Sequence, residues 1–575
     1  MSRERARTLR FGDFEVDPAA GELRRGGVPV NLPPQPARVL AFLAGRPGEV
    51  VTREEIQAEI WGQETHVDFV QGLNYCIRQI RMALGDDASS PRYVETLPRR
   101  GYRFVGVVEA AAPAGGPAPK ERIMFVVLPF ENLGGDPEQE YFSDGLTDEM
   151  ITELGRACPD RLGVIARTSS MKYKGTGASI DQISRELGVQ YALEGTVRRS
   201  GERVRIGAQL IDVADRSHVW AHSYETSLRD ILAVQSEVAR DVSAHVQQKL
   251  VSDIYAGPAR PALAAGAYEA YLKGRYFWHR RSSEDLRNSI RYFEEAIAKD
   301  PDYAEAYAGL ADAHLTLLDY FMDPREAMAN AASAVAKSLS LNDSLAEPHT
   351  SLAHASMHGF DWRTADRAFR RTFELNPSYA PAWFYYSNYK LAVARFAEAL
   401  RAARRAVELD PISAVVECNE GTMNLYAGRY DEAERHFRHA MEMDSNLWAP
   451  QYDLARLFEE RGDQTAAVKQ FRRVAATSKG SPRTLASLGR ALALQGAADE
   501  ASDIRDKLER LSREMHVSAY YMALLCAALG ERERAFEHLE VAYQRKDGDL
   551  IFIQVDKRHQ DLRDDDRFRS IVHSG

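Results

Sequence analysis

Cysteine is scarce in this chain: Cys76, Cys158, Cys418 and Cys526 are the only four in 575 residues, far apart and with no CxxC pair. That excludes a disulfide framework or a zinc ribbon and fits a reducing compartment. Long apolar runs are missing as well. The stretch Ile123–Phe130 is far short of the ~20 residues needed to span a bilayer, and the opening MSRERARTLRFGDFEV has charges with no apolar segment behind them. Neither a membrane helix nor a secretory leader is expected, and a cytoplasmic location is. Positive charge is not in excess either. The net charge is −10, so any nucleic-acid binding must be local rather than a bulk electrostatic effect.

Catalytic and metal signatures are also thin. Gly175-Thr176-Gly177 has no following Lys and no P-loop spacing. Asp144, Asp148 and Glu149 read as the polar start of a helix, with acids near its positive dipole end. His218 and His222 share a strand face, and His354 and His358 stand four apart on a helix, but neither pair has an evident third ligand. No acid, base and nucleophile cluster together. The expectation is a non-enzyme with no cofactor and no metal.

What is present looks globular, with 45% hydrophobic and 27% charged residues. At about 100–200 residues per domain, three or four domains are expected. AAAPAGGPAP, from Ala110 to Pro119, has linker composition. A second shift, YAGPARPALAAG near Tyr255–Gly266, leads into an Ala-rich helical remainder. The expected boundaries are 1–109, a linker at 110–120, then 121–254 and 265–575.

In residues 1–109, Phe11, Phe14, Val16, Leu23, Val28, Val30 and Leu32 alternate between turn residues, predicting a small antiparallel sheet. Three helices should follow. The first covers about Gln35–Ala44. The second opens at Thr52 with Glu55 three residues on, a capping box, and runs to Trp61-Gly62. The third spans about Val67–Leu84 and stops at Gly85. On that third helix Leu73, Ile77, Ile80 and Leu84 form a core face, and Gln71, Asn74, Arg78 and Arg81 lie on the other. RYVETLPRRGYRFV should make two strands with Arg99-Arg100-Gly101 at the tip.

HVDFVQGLNYCIRQIRMALGDD followed by RYVETLPRRGYRFVG resembles the effector domain of the OmpR/PhoB-type family, and the likeness covers residues 9–107. It implies a winged helix-turn-helix whose third helix enters the major groove and whose wing touches the minor groove. An α-helix fits a major groove, Arg can bond guanine bidentately, and Asn can do the same to adenine. The resemblance points to Asn74, Arg78 and Arg81 on the helix, and to Arg99, Arg100 and Arg103 on or beside the wing. Gln79, Met82 and Ala83 stand where relatives often carry basic residues.

Residues 121–254 read as α/β. IMFVVLPF is a buried strand, YFSDGLTDEMITELGRA an amphipathic helix, LGVIART a strand and IDQISRELGVQ a helix. Three strands should follow, turning at Ser200-Gly201 and Ala214-Asp215, with a last helix from Leu228 to about Leu250. The words VLPF, YFSDGLTDE, ARTSS and YALEGTVRRSGERVRIGAQLID resemble a TolB-like domain. In the last segment Asn376-Pro377, Asp410-Pro411 and Asp444-Ser445 recur every 34 residues, as do Ala365, Ala399, Ala433 and Ala467. This is a tetratricopeptide period. About eight helix pairs fit the length, forming an all-α superhelix with a concave groove, capped by the tail DKRHQDLRDDDRFRSIV.

The fold class expected is therefore multidomain: winged helix, TolB-like α/β domain, tetratricopeptide superhelix. The architecture resembles CadC-like regulators without their membrane span. That implies a one-component transcription regulator that binds double-stranded promoter DNA and senses a cytosolic effector, protein or peptide through its other domains, with RNA polymerase among the candidate partners. The alternative is a tetratricopeptide interaction scaffold with a protein-docking winged helix. Aromatic groups at 383–386 and 520–521 read as interhelix packing.

Overall fold

The computed structural model describes residues 9–11, 14–17, 22–25, 28–30, 32–46, 50–60, 69–87, 91–97, 101–106, 108–110, 122–157, 159, 161–248, 262–280, 282–320 and 324–574. The chain divides into two compact units, Met1–Glu121 and Arg122–Gly575.

In the first unit β1 (Leu9–Phe11), β2 (Phe14–Asp17), β3 (Glu22–Arg25) and β4 (Val28–Val30) precede α1 (Pro34–Ala44). Then come β5 (Val50–Val51), α2 (Arg53–Ile60), α3 (Phe69–Leu84), β6 (Val94–Leu97), β7 (Gly101–Phe104) and β8 (Val108–Ala110). Phe11, Phe14, Val16 and Leu23 all turn inward, as their alternation predicts. The Phe11 ring meets Phe104 edge-on, with centroids 4.9 Å apart, so the first sheet is pinned to the strands after α3. The capping box forms: Thr52 N donates to Glu55 Oε2 at 2.7 Å, and Glu55 N donates to Thr52 Oγ1 at 3.2 Å. The expected end of the second helix at Trp61-Gly62 lies outside the described residues.

One expectation needs correction. Ala110, read as the first linker residue, ends β8, which pairs antiparallel with β1. Edge pairing uses backbone groups alone, so a run of small residues does not preclude it. Residues 111–121 lie outside the described set.

The second unit opens with β9 (Ile123–Val127), β10 (Glu131–Asn132), α4 (Glu140–Ala157), β11 (Leu162–Val164), α5 (Arg167–Ser170) and α6 (Ile180–Leu187). β12 (Tyr191–Ser200), β13 (Arg203–Asp212), β14 (Ser217–Ser227) and α7 (Ile231–Gln248) complete its sheet region. The strand order is β11-β9-β12-β13-β14: the first three strands are parallel and the last three antiparallel.

Among the described residues eight helix pairs follow, from Ala267–Arg280 with Ser283–Lys299 to Ala519–Ala528 with Arg532–Arg545. The period of 34 is a packing period. Ala365, Ala399, Ala433 and Ala467 are buried where paired helices cross, and Phe369, Phe437 and Phe471 fill the space beside them. At Gly421 a Cβ would lie 2.6 Å from the Phe437 ring, so only glycine lets that ring in.

The sheet region and the array share one core: Leu146, Met150 and Leu154 of α4 pack with Tyr268, Tyr271 and Phe293 of the first pair. Composition changes at 255–266, but packing does not stop there. Buried charge adds to the joint. Arg275 donates twice to Asp148 Oδ2, at 3.0 and 2.9 Å, and His279 Nε2 lies 3.1 Å from the same atom. Tyr271 Oη donates to Glu149 Oε1 at 2.7 Å, and Arg156 pairs with Glu347 at 2.5 Å. The expectation that Asp148 and Glu149 belong to the polar start of a helix, near its positive dipole end, is thus corrected. They sit mid-helix, buried, and face cations and hydroxyls brought by residues more than 120 positions later.

The concave groove expected of the array is partly filled by the chain itself. Residues 548–562 turn back along the array. Ile551 packs among Ala353, Met357, Phe369 and Tyr389, and Val555 among Leu391, Ala399 and Met423. Tyr520 Oη donates to Asp556 at 2.6 Å, and Arg558 pairs with that buried carboxylate at 2.6 Å. His354 and His358 are buried beside this segment, with Gly548 next to His358. The final helix, Asp566–Ser574, does cover the last pair, through Phe568, Ile571 and an Arg567–Glu533 bridge at 2.8 Å.

These buried groups give an acid-sensitive joint. Burial, with Arg167 adding to it, pushes His279 down to about 3 against the pull of Asp148, and burial pushes His559 down to about 3. Both are neutral when folded. Between their ordinary value near 6.5 and about 3, the unfolded chain binds protons that the folded chain does not, so stability falls as pH drops through that window. Asp410 works the other way: burial pushes it up to about 6, so its ionisation costs stability as pH rises. The two histidines by themselves lower the thermal midpoint of the full chain between about pH 7 and about pH 4.5. The fall should be smaller in a His279→Gln, His559→Gln variant. An equal fall in both proteins would remove these histidines from the account.

Candidate nucleic-acid interface

The third helix owes its orientation to its apolar stripe. Leu73, Cys76, Ile77, Ile80 and Leu84 are buried against α1 and the strands, which leaves the opposite face to solvent. That face carries Asn74, Tyr75, Arg78 and Met82, all exposed, with Met82 at 67%. Burial pushes the Cys76 thiol up to about 11, so it is a packing residue and not a nucleophile.

The wing is held to this helix by two devices. Asp86, just past α3, accepts from the backbone N–H of Arg92 at 2.6 Å and of Val94 at 2.8 Å. Arg81 reaches across and donates through Nη2 to Val94 O at 2.8 Å and Thr96 Oγ1 at 2.9 Å. At the wing base Gly101 has φ +140°, and a Cβ there would lie 2.1 Å from Val51 O, so glycine is required where β7 passes β5.

The six residues singled out from the sequence occupy three situations. Asn74 and Arg78 stand on the exposed face. Asn74 Oδ1 accepts from Tyr102 Oη at 3.3 Å, which turns its amide toward β7. Arg81 and Arg103 are half-buried. The first ties helix to wing, and the second lies 3.6 Å from Glu95, its partner across β6 and β7. Arg99 and Arg100 lie outside the described residues.

Sequence reasoning missed Arg53 and Tyr102. The Arg53 guanidinium lies over the Tyr102 ring at 5.9 Å, and both line a cleft of about 580 Å³ with Asn74, Arg78 and Arg81. The available signal was the capping box, which fixes Arg53 at the first turn of α2. An open face with a cation and an amide, flanked by a braced two-stranded wing, has the shape and donors that a major groove accepts.

Known proteins give this geometry a lineage. Residues 27–104 match the family described as "Transcriptional regulatory protein, C terminal". Residues 121–240 match "HilA/YgeH-like transcriptional regulator, second domain". A Rhizobium meliloti protein named "Putative adenylate cyclase 3" is 33% identical over 317 residues, 55% of this chain and 51% of that protein. The Salmonella typhimurium transcriptional regulator HilA is 21% identical over 400 residues, 68% of each chain. The Escherichia coli transcriptional activator CadC is 32% identical over 98 residues, 17% of this chain and 19% of CadC. The chain spans about half the length of the first of these relatives. No helix among the described residues is long and apolar enough to cross a membrane. Within one chain, residues 27–104 are thus similar to a transcriptional-regulatory C-terminal domain, and residues 121–240 are similar to a HilA/YgeH-like second domain.

Proposed function

We propose that this chain is a sequence-specific DNA-binding transcription regulator of the cytoplasm. Its winged helix docks on promoter duplex, and its second unit receives the regulatory input. The observation that carries this reading is the outward face of α3, where Asn74 and Arg78 stand exposed beside a wing braced by Arg81 and Asp86. Asn74 and Arg78 read base edges. Arg99, Arg100 and Arg103 serve the wing and the sugar–phosphate backbone, and Arg81 acts on DNA by positioning the wing. The sheet region keeps its TolB-like resemblance as a statement of kinship, supported by the strand and helix order of β9 to β12.

The input is a cytosolic effector or a protein partner on the repeats, with RNA polymerase among the candidates. Residues 548–562 line the inside of the array, so a partner binds elsewhere on it or displaces them. The reading has no catalytic step and needs no cofactor. The cyclase-named relative supplies the rival, and cyclic AMP formed from ATP by the purified chain would favour it. A pure scaffold would show no sequence preference on DNA.

Residues 1–121 have their own core and should bind DNA alone. In that fragment Arg78→Ala should cost ~1–3 kcal/mol of discrimination at one base position. Arg81→Met should instead weaken all sequences alike and lower the thermal midpoint, because it releases the wing. Gel shifts across a permuted site, together with melting curves, separate the two. Equal and small effects from both would reduce the face to ordinary solvated charge.

Ile551→Asp places a carboxylate in an apolar seat and should free the C-terminal segment, seen as faster proteolysis beyond Arg545 in the full chain. Promoter output in a reporter strain should change while the DNA affinity of the 1–121 fragment, which lacks this segment, stays as it is. Unchanged output with a released segment would show that the inside of the array is not an input surface.

A further inference from the structure

The sheet of the second unit leaves a cleft that the DNA reading does not use. β9 lies between β11 and β12, and its two faces take different helices. Phe125 and Val127 join the core containing α4, whereas Val126 and Leu128 pack with Ile183 and Leu187 of α6. The crossover after β9 thus lies on one face, and the crossover after β11 on the other. Adjacent strands that send their helices to opposite faces open a crevice at their carboxyl ends, and α/β sheets bind ligands there. A cleft of about 1050 Å³ opens at the carboxyl end of β9, on the α6 side of the sheet. It starts at Leu128–Asn132, directly after β9, is walled by Tyr173–Ala178 of the second crossover, and runs over β12, β13 and β14.

The floor is a flat, polar sheet face. Thr196, Gly207 and Ser223 form one cross-strand row, and Glu194, Gln209 and Ala221 the next. Gly207 keeps the floor low, since a Cβ there would lie 2.8 Å from Thr196 Oγ1. Hydroxyl and amide groups let the lining both donate and accept. Lys174 is the one Lys or Arg in the lining, and Glu140 at 2.6 Å together with Asp144 neutralises it. Glu131 and Glu194 leave the balance negative, which disfavours phosphates and carboxylates.

The wall is tied to the repeat array. Ser169 donates to Asp410 Oδ1 through N at 3.0 Å and through Oγ at 2.6 Å, and Ile412 N donates to Ser169 Oγ at 3.1 Å. Ser170 Oγ donates to Val127 O at the end of β9. A ligand that moves this wall therefore moves groups fixed to both the sheet and the repeats.

We propose that this cleft binds an uncharged, hydroxyl-rich small molecule of mono- or disaccharide size, and that it is the effector site. The effector role rests on the regulator reading above. The volume fits a small-molecule pocket, and the lining matches a ligand that offers many hydroxyls and no charge.

Calorimetry on the full-length protein tests this with glucose, maltose and myo-inositol as neutral probes, and with inorganic phosphate and spermidine as charged ones. At least one neutral probe should bind and raise the thermal midpoint, and neither charged probe should. Ala221→Trp fills the floor from an exposed position and should abolish binding. Gln209→Leu should weaken it about tenfold. Circular dichroism should be unchanged in both. Binding by none of the neutral probes, tighter binding of phosphate or spermidine, or binding that survives Ala221→Trp overturns the proposal. Footprinting with and without the bound probe separates the two layers. Binding without any change in DNA affinity removes the effector role. Failure of the unliganded chain to bind DNA strikes the regulator reading alone and leaves the cleft as found.

Discussion

The second unit depends on a buried electrostatic weld. Asp148, in the middle of α4, is held by Arg275 and His279 from the first repeat helix, and Arg156 reaches Glu347 two pairs further on. Taking such charges out of water is costly, and removing one partner of a buried pair typically costs about 3–5 kcal/mol because the other is left uncompensated. The weld therefore specifies an arrangement more than it adds stability. A misdocked sheet would leave carboxylates and guanidiniums buried and unpaired, so only one placement of α4 on the repeats is tolerated. The apolar core around Leu146, Tyr268 and Phe293 supplies the attraction, and the charges set the register.

Much of this was legible along the chain. The capping box at Thr52 and Glu55, the apolar stripe of α3, the turns at Ser200-Gly201 and Ala214-Asp215 and the period of 34 are local patterns, and each appears where those patterns put it. The weld was not legible. Asp148 and Glu149 read along the chain as ordinary acids of an amphipathic helix, and only a partner more than 120 positions later shows their role. The filling of the array failed for the same reason. Ile551 and Val555 are short apolar marks ahead of an acidic tail, and nothing local says that they seat against helices far upstream. Of the candidate DNA-contact residues, sequence placed Asn74 and Arg78 on the open face but could not tell them from Arg81, whose guanidinium is committed to the wing. Period and charge assign a face, whereas hydrogen-bond partners assign a task.

The two units differ in how they use charge. On α3 it is left in water, where it is cheap to hold and available to a partner. Around α4, Asp410 and Asp556 it is buried, and there it fixes how sheet and repeats meet.

The division at Glu121–Arg122 also bears on how such chains arise. A core shared between sheet and repeats, with Asp148 on one and Arg275 on the other, cannot be cut without stranding half of a matched set. Recombination within residues 122–575 would produce chimaeras that fail to fold unless both halves came from the same parent. The body of residues 122–575 must therefore be inherited in one piece and diverge by substitution.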